Sequence, residues 1–212
     1  MKKNILVIVL IALCFLLNTN GFIFADDSVT TDSTSDNIID RIGVKGPLEF
    51  NKTSFTLAWT AKPNDTYYAQ EYLPDGDNLE TFNQMLAIHL FIKDLKPDDA
   101  AFEKAIELTK RKKTDPICNY ALVSNADKKV FILDFLVGEI MDKRYTLVEF
   151  NVYRYQQIDL SNNKKALMVY TYCKRSYGAN ITPFLKTLKD TRNDYINQMT
   201  SAEIPVVTIE NN

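Results

Sequence analysis

The chain holds one histidine, one tryptophan, three cysteines and six glycines in 212 residues. A single histidine excludes a His-pair metal centre and a histidine relay. Three cysteines are too few for a disulfide-built scaffold, and six glycines with seven prolines exclude collagen-like and low-complexity chains. Neither charge sign is in excess: 25 basic residues stand against 27 acidic ones, for a net charge of −2. That balance gives no electrostatic case for nucleic-acid binding. The residues contain no GxSxG elbow, phosphate loop or zinc-ligand spacing, so no cofactor and no metal is expected. What the chain does have is apolar content, 46% of residues, enough for one globular domain.

Long hydrophobic runs are also scarce, and the longest lies at the N-terminus. Lys2 and Lys3 precede an unbroken apolar stretch, Ile5 to Leu17, and Ile23-Phe24-Ala25 offers a small residue before a cleavage point. These are the three parts of a secretory signal peptide, expected over residues 1–25. The apolar stretch is shorter than the roughly 20 residues needed to span a bilayer, so no membrane span is expected after cleavage. Removal of 25 residues leaves 187 and, with Lys2 and Lys3 gone, a net charge of −4. Residues 26–45 open with Asp26 to Asn37, acidic and rich in Ser and Thr, and read as a flexible spacer. A single α+β domain is expected over 46–205, followed by a tail at 206–212.

Within the domain, Phe55 to Trp59 alternates as a half-buried strand, and Thr66 to Tyr72 returns as its partner after the Pro63-Asn64-Asp65 turn. Asn78, followed by Leu79, Phe82 and Leu86 at helical spacing, predicts a short helix ahead of a strand from Ala87 to Ile92. Pro97-Asp98-Asp99 opens a second helix, with Phe102, Ala105, Ile106 and Thr109 as its inner face and Lys110 to Lys113 meeting the carbonyls at its end. Four strands follow, at 117–124, 130–138, 145–158 and 166–175, and Thr182-Pro183 starts a last helix with a stripe of Phe184, Leu185, Leu188, Tyr195, Ile196 and Met199. The fold class is α+β, a largely antiparallel sheet of about six strands flanked by helices.

Glu71-Tyr72-Leu73-Pro74-Asp75-Gly76-Asp77, followed by Phe82 and Met85, resembles a pattern in small exported bacterial proteins of unassigned function. The element order over about residues 48–200 is also similar to the PsbP-type α/β/α sandwich. That resemblance implies an accessory or assembly protein rather than an enzyme.

Candidate site residues are few. Closing the last hairpin symmetrically over Ser161 to Lys164 sets Tyr155 opposite Tyr170 and Tyr153 opposite Tyr172, which places four tyrosines on one sheet face, either as an exposed binding platform or buried beneath a helix with their hydroxyls at the edge. Asp134 interrupts the most apolar strand and reads as a ligand anchor or as a buried tie to a loop or to Arg154. His89 stands without a nucleophile and reads as a hydrogen-bonded structural residue. Export favours a Cys118–Cys173 disulfide, whereas three intervening strand spacings, about 14 Å, exceed the roughly 4.4–6.8 Å that a bridge allows. Both outcomes stay open. The expected function is an exported, non-catalytic binding or accessory protein of the bacterial envelope or secretome, with a protein, peptide or glycan partner. The alternative is a small hydrolase using Glu71, Asp134 or Glu149 as acid/base groups.

Overall fold

The computed structural model describes residues 38–160 and 164–209. Eight strands form one antiparallel sheet: β1 Leu48–Phe50, β2 Thr53–Asn64, β3 Tyr67–Pro74, β4 Gln84–Phe91, β5 Asn119–Ser124, β6 Val130–Met141, β7 Arg144–Asp159 and β8 Lys165–Tyr177. Their order across the sheet is β1-β2-β3-β4-β8-β7-β6-β5. Two four-stranded meanders therefore meet at the β4–β8 ladder. Helix α1, Pro97–Arg111, links the meanders, and helix α2, Ile181–Ser201, follows β8.

The two helices take opposite faces because adjacent residues in a strand point to opposite sides. Leu133, Phe135 and Tyr155 pack with Ala101 and Leu108 of α1. Their neighbours Ile132, Phe150 and Val152 pack with Leu188, Tyr195 and Met199 of α2. Both helices lie chiefly on the β5–β8 half. Strands β3 and β4 are nevertheless buried along nearly their whole length, as the sheet curls into a half-barrel.

This corrects the expected architecture. The sheet has eight strands rather than about six, and two helices on one curled sheet do not make a PsbP-type α/β/α sandwich. The missing helix is the one expected from Asn78. The Asn78 side chain instead accepts bonds from the Glu80 and Thr81 amides at 3.0 Å, closing a tight turn, and β4 begins at Gln84. Pairing of Gln84–Phe91 with β8 satisfies backbone groups that a two-turn helix would leave open at both ends, so tertiary pairing overrides the local spacing.

Helix α1 forms where expected but is rotated. Its buried residues are Ala101, Lys104, Ala105 and Leu108, while Phe102 and Ile106 are 54% and 57% exposed. Both helices begin without a side-chain cap bond, although Asp98 and Asp99 stand in the first turn of α1, where they suit its dipole. The basic end of α1 is structural: Arg111 pairs with Asp115 at 3.1 Å and donates to the Gly138 carbonyl at 2.8 Å.

Packing starts ahead of residue 46, because Ile42 and Val44 belong to the main core. Asp40 fixes this segment by accepting the Ile42 and Val44 amides. Gly43, at φ +70°, lies so close to Thr208 that a Cβ there would sit 2.9 Å from it, and the Thr208 amide donates to the Ile42 carbonyl at 2.8 Å. The chain segment before β1 and the one after α2 are thus clasped together. The expected signal peptide and residues 26–37 lie outside the described residues. Among the described residues no helix is long and apolar enough to cross a membrane.

Candidate functional site

Register decides what happens to the four tyrosines. The β7–β8 ladder pairs Tyr155 with Val169, Tyr153 with Thr171, Arg154 with Tyr170 and Val152 with Tyr172. This is one residue away from the symmetric closure, and a one-residue slip moves a whole strand's side chains to the other face. Tyr153 and Tyr155 therefore face α1, whereas Tyr170 and Tyr172 face α2. Tyr155, Tyr170 and Tyr172 are buried, and Tyr172 stacks on Tyr195 of α2 with ring centroids 5.3 Å apart. The shared four-tyrosine face is corrected accordingly.

Asp134 lies on the α2 face and is tied to Arg192, whose Nη2 and Nε stand 2.6 and 2.7 Å from its Oδ2. Burial outweighs this partner and holds the carboxyl above its ordinary range. Arg154, the partner weighed from the sequence, instead donates to the Met199, Thr200 and Ala202 carbonyls at the end of α2. Two arginines thus fix α2 at separate points. Asp134→Asn is expected to shift stability by less than about 1 kcal/mol in urea unfolding at pH 7, because burial already opposes the charge that a part-exposed Arg192 holds in place.

The two cysteines are free, so the disulfide does not form. Cys118 sits beneath the end of α1, with its Sγ donating to the Leu108 carbonyl at 3.5 Å. Cys173 lies in central strand β8 among Leu73, Phe82 and Met85. Strands β6 and β7 stand between them, and burial raises both thiols above their ordinary value.

The face toward α1 gathers a polar cluster that the sequence showed only in part. The ladders align Trp59, Glu71, Ala87, Thr171, Tyr153 and Leu133 in one row across six strands. Beside that row Arg175 Nε donates to Glu149 Oε2 at 2.5 Å, and Asn151 Nδ2 donates to Oε1 at 2.8 Å. The Phe82 ring stacks 4.0 Å from the Arg175 guanidinium carbon. Burial opposes the charge on Glu149, yet Arg175 and Asn151 prevail and keep its carboxyl below the usual range.

Glu71 is 7% exposed, and its carboxylate has no hydrogen-bond partner among the described residues. Burial, countered in part by Arg175 and reinforced by Glu149, pushes its carboxyl up to about 7. His89 is buried one row away, its Nδ1 2.9 Å from the Tyr67 hydroxyl. Burial first, and Lys104 second, push the imidazole down to about 4. It is therefore neutral, and its Nδ1 shares with the Tyr67 hydroxyl one hydrogen bond whose donor follows the ring tautomer. Lys104 enters from α1, 3.4 Å from Glu107, and burial lowers it to about 8. Between Lys104, Glu149 and Tyr153 lies a void of about 20 Å³, room for a single water.

A much larger space opens at the end of the sheet. A cleft of about 1250 Å³ is lined by the segment before β1, the β2–β3 turn, the residues after β4, the start of β8 and the segment after α2. Its charged residues are Asp40, Arg41, Lys62, Asp65, Lys93, Asp94, Lys164 and Lys165, with Ile39, Tyr68, Ile92 and Ile209 between them. Sequence reading missed these residues because they come from five separate segments. Among the described residues no group of three or more His, Cys, Asp or Glu side chains is arranged to hold a metal ion.

A family model of an uncharacterised family matches residues 42–204, and the protein belongs to that family. The matched span begins at Ile42, where packing begins. No curated protein and no solved structure matches the chain.

Proposed function

We propose that this is an exported, non-catalytic binding or accessory protein of the bacterial envelope or secretome. The observation that carries the reading is the contrast between the open 1250 Å³ cleft and the carboxylates named as acid/base candidates. Asp134 and Glu149 are each held by an arginine, and they lie on opposite faces of the sheet. The cleft has the room for a ligand that the void beside Glu149 lacks.

One observation favours the hydrolase alternative. Glu71 and Glu149 share a face, and their surroundings push one carboxyl up and the other down, the division of labour expected of an acid and a base. The adjoining void, sized for one water, leaves no place for a substrate. The exported protein, incubated with chromogenic esters, glycosides, phosphates and peptides, is expected to show no turnover. Its N-terminal residue is expected to be Asp26, read by intact mass. Turnover abolished by Glu71→Gln would replace the binding reading with the hydrolase.

A further inference from the structure

We infer that the cleft at the end of the sheet is a docking site for acidic peptide segments, an inference that rests on the binding-protein reading. Five cations line it: Arg41, Lys62, Lys93, Lys164 and Lys165. Three aspartates are present, each engaged by a neighbour but still charged, so the lining carries a net charge of +2. Asp40 accepts two backbone amides of its own segment, Asp65 pairs with Lys62 at 3.3 Å, and Asp94 accepts the Gln157 side-chain amide at 2.7 Å. Arg41, Lys93, Lys164 and Lys165 have no ion pair among the described residues. A basic cleft on a chain of net charge −2 is a local concentration, not a reflection of the whole.

Arg41 adds a second, independent observation. Its backbone amide donates to Gln70 Oε1 at 2.7 Å, while its side-chain Nε is buried without a hydrogen-bond partner among the described residues. A buried donor left in that state gains when an acceptor arrives.

The choice of peptide follows from what lies between the cations. Ile39, Tyr68, Ile92 and Ile209 interleave with them, so a fitting ligand carries carboxylates and aliphatic groups on one chain. A phosphate or sulfate polymer has nothing to place against those residues. Four of the five cations are lysines, point charges that accept a carboxylate at many angles, whereas phosphate sites favour the arginine fork or a nest of backbone amides. The volume also exceeds the roughly 300–1,000 Å³ usual for small-molecule pockets, which suits a segment of chain.

The test is fluorescence anisotropy on the exported protein with a labelled decapeptide in which Glu alternates with Ile and Ser. A twin with Gln for Glu and vesicles of phosphatidylglycerol serve as comparisons. The acidic peptide is expected to bind, and the Gln twin and the vesicles are not. Lys93→Glu with Lys165→Glu, both at exposed positions, is expected to weaken binding about tenfold or more, since like charges across an interface repel strongly. Lys143→Glu with Arg144→Glu, exposed at the β6–β7 turn on the opposite end of the sheet, should leave it unchanged. Binding should also fall in about 1 M salt, where the screening length is about 3 Å. Equal binding of the Gln twin, equal loss in both double variants, or binding of vesicles in place of the peptide overturns the inference. Failure to bind the peptide without any turnover overturns this inference alone, whereas turnover abolished by Glu71→Gln removes the reading beneath it.

Discussion

Arg175→Met is expected to destabilise the protein by about 3–5 kcal/mol, measured as the shift in urea unfolding at pH 7, because it leaves Glu149 charged and buried without its partner. Glu149 cannot readily escape to water. It is buried in the sheet interior, with Asn151 on one oxygen and Arg175 on the other. Arg175→Met also removes the cation lying over the Phe82 ring and leaves Glu71 facing an unopposed neighbouring carboxylate. The double variant Arg175→Met with Glu149→Leu should recover most of the loss, since an apolar pair in place of a buried ion pair is often neutral or better. A double variant no more stable than the single one would mean that the pair does not act as a unit.

The second large effect concerns pH, where Glu71 and His89 work in opposite directions. Glu71 titrates at about 7 when folded against 4.5 for the free group. Its contribution is complete below pH 4.5 and is lost as pH rises through 7. His89 titrates at about 4 when folded against 6.5. Its contribution is complete above pH 6.5 and is lost as pH falls through 4. Each swing is about 2–4 kcal/mol, and between pH 4.5 and 6.5 the two nearly cancel. Urea unfolding across pH 4–8 should therefore show little net slope from this pair in the native protein. Glu71→Gln should expose a stability that rises with pH, and gain about 2–4 kcal/mol over the native protein at pH 8. His89→Gln should expose a stability that falls with pH. If both variants keep the native profile, neither group has the buried environment described.

How much of this was legible in the sequence depended on the range of the interactions involved. Strong alternation placed most strands and short polar turns placed the hairpins, since both are local properties. The Asn78 to Leu86 helix failed because the pairing partner of β4 is distant β8, which no local spacing reports. The face of α1 was misjudged for a related reason: the sheet accepted small Ala101 and Ala105 and the long stem of Lys104, leaving Phe102 and Ile106 outside. The tyrosine face depended on a hairpin register that differed by one residue. Asp134 was correctly singled out as a buried carboxylate, yet its partner Arg192 is 58 residues away on α2. Glu71 and Glu149 were visible as candidate acids, but their relation to Arg175 follows only from the ladders.

Every ladder but one joins strands consecutive in the chain. The exception joins Gln84–Phe91 to Leu167–Lys174, across the whole of residues 92–166. Loop-closure entropy makes such a contact the costliest to form, so each meander can zip from its own hairpins before the two halves meet. The β4–β8 seam then closes late in folding. Glu71 stands on one side of that seam, and Arg175 and Glu149 stand on the other. Until the seam closes, Glu71 keeps its water. The last large step of folding is therefore the one that strips solvent from these charges, and the protonation of Glu71 then weighs on the closing of the seam rather than on either meander alone.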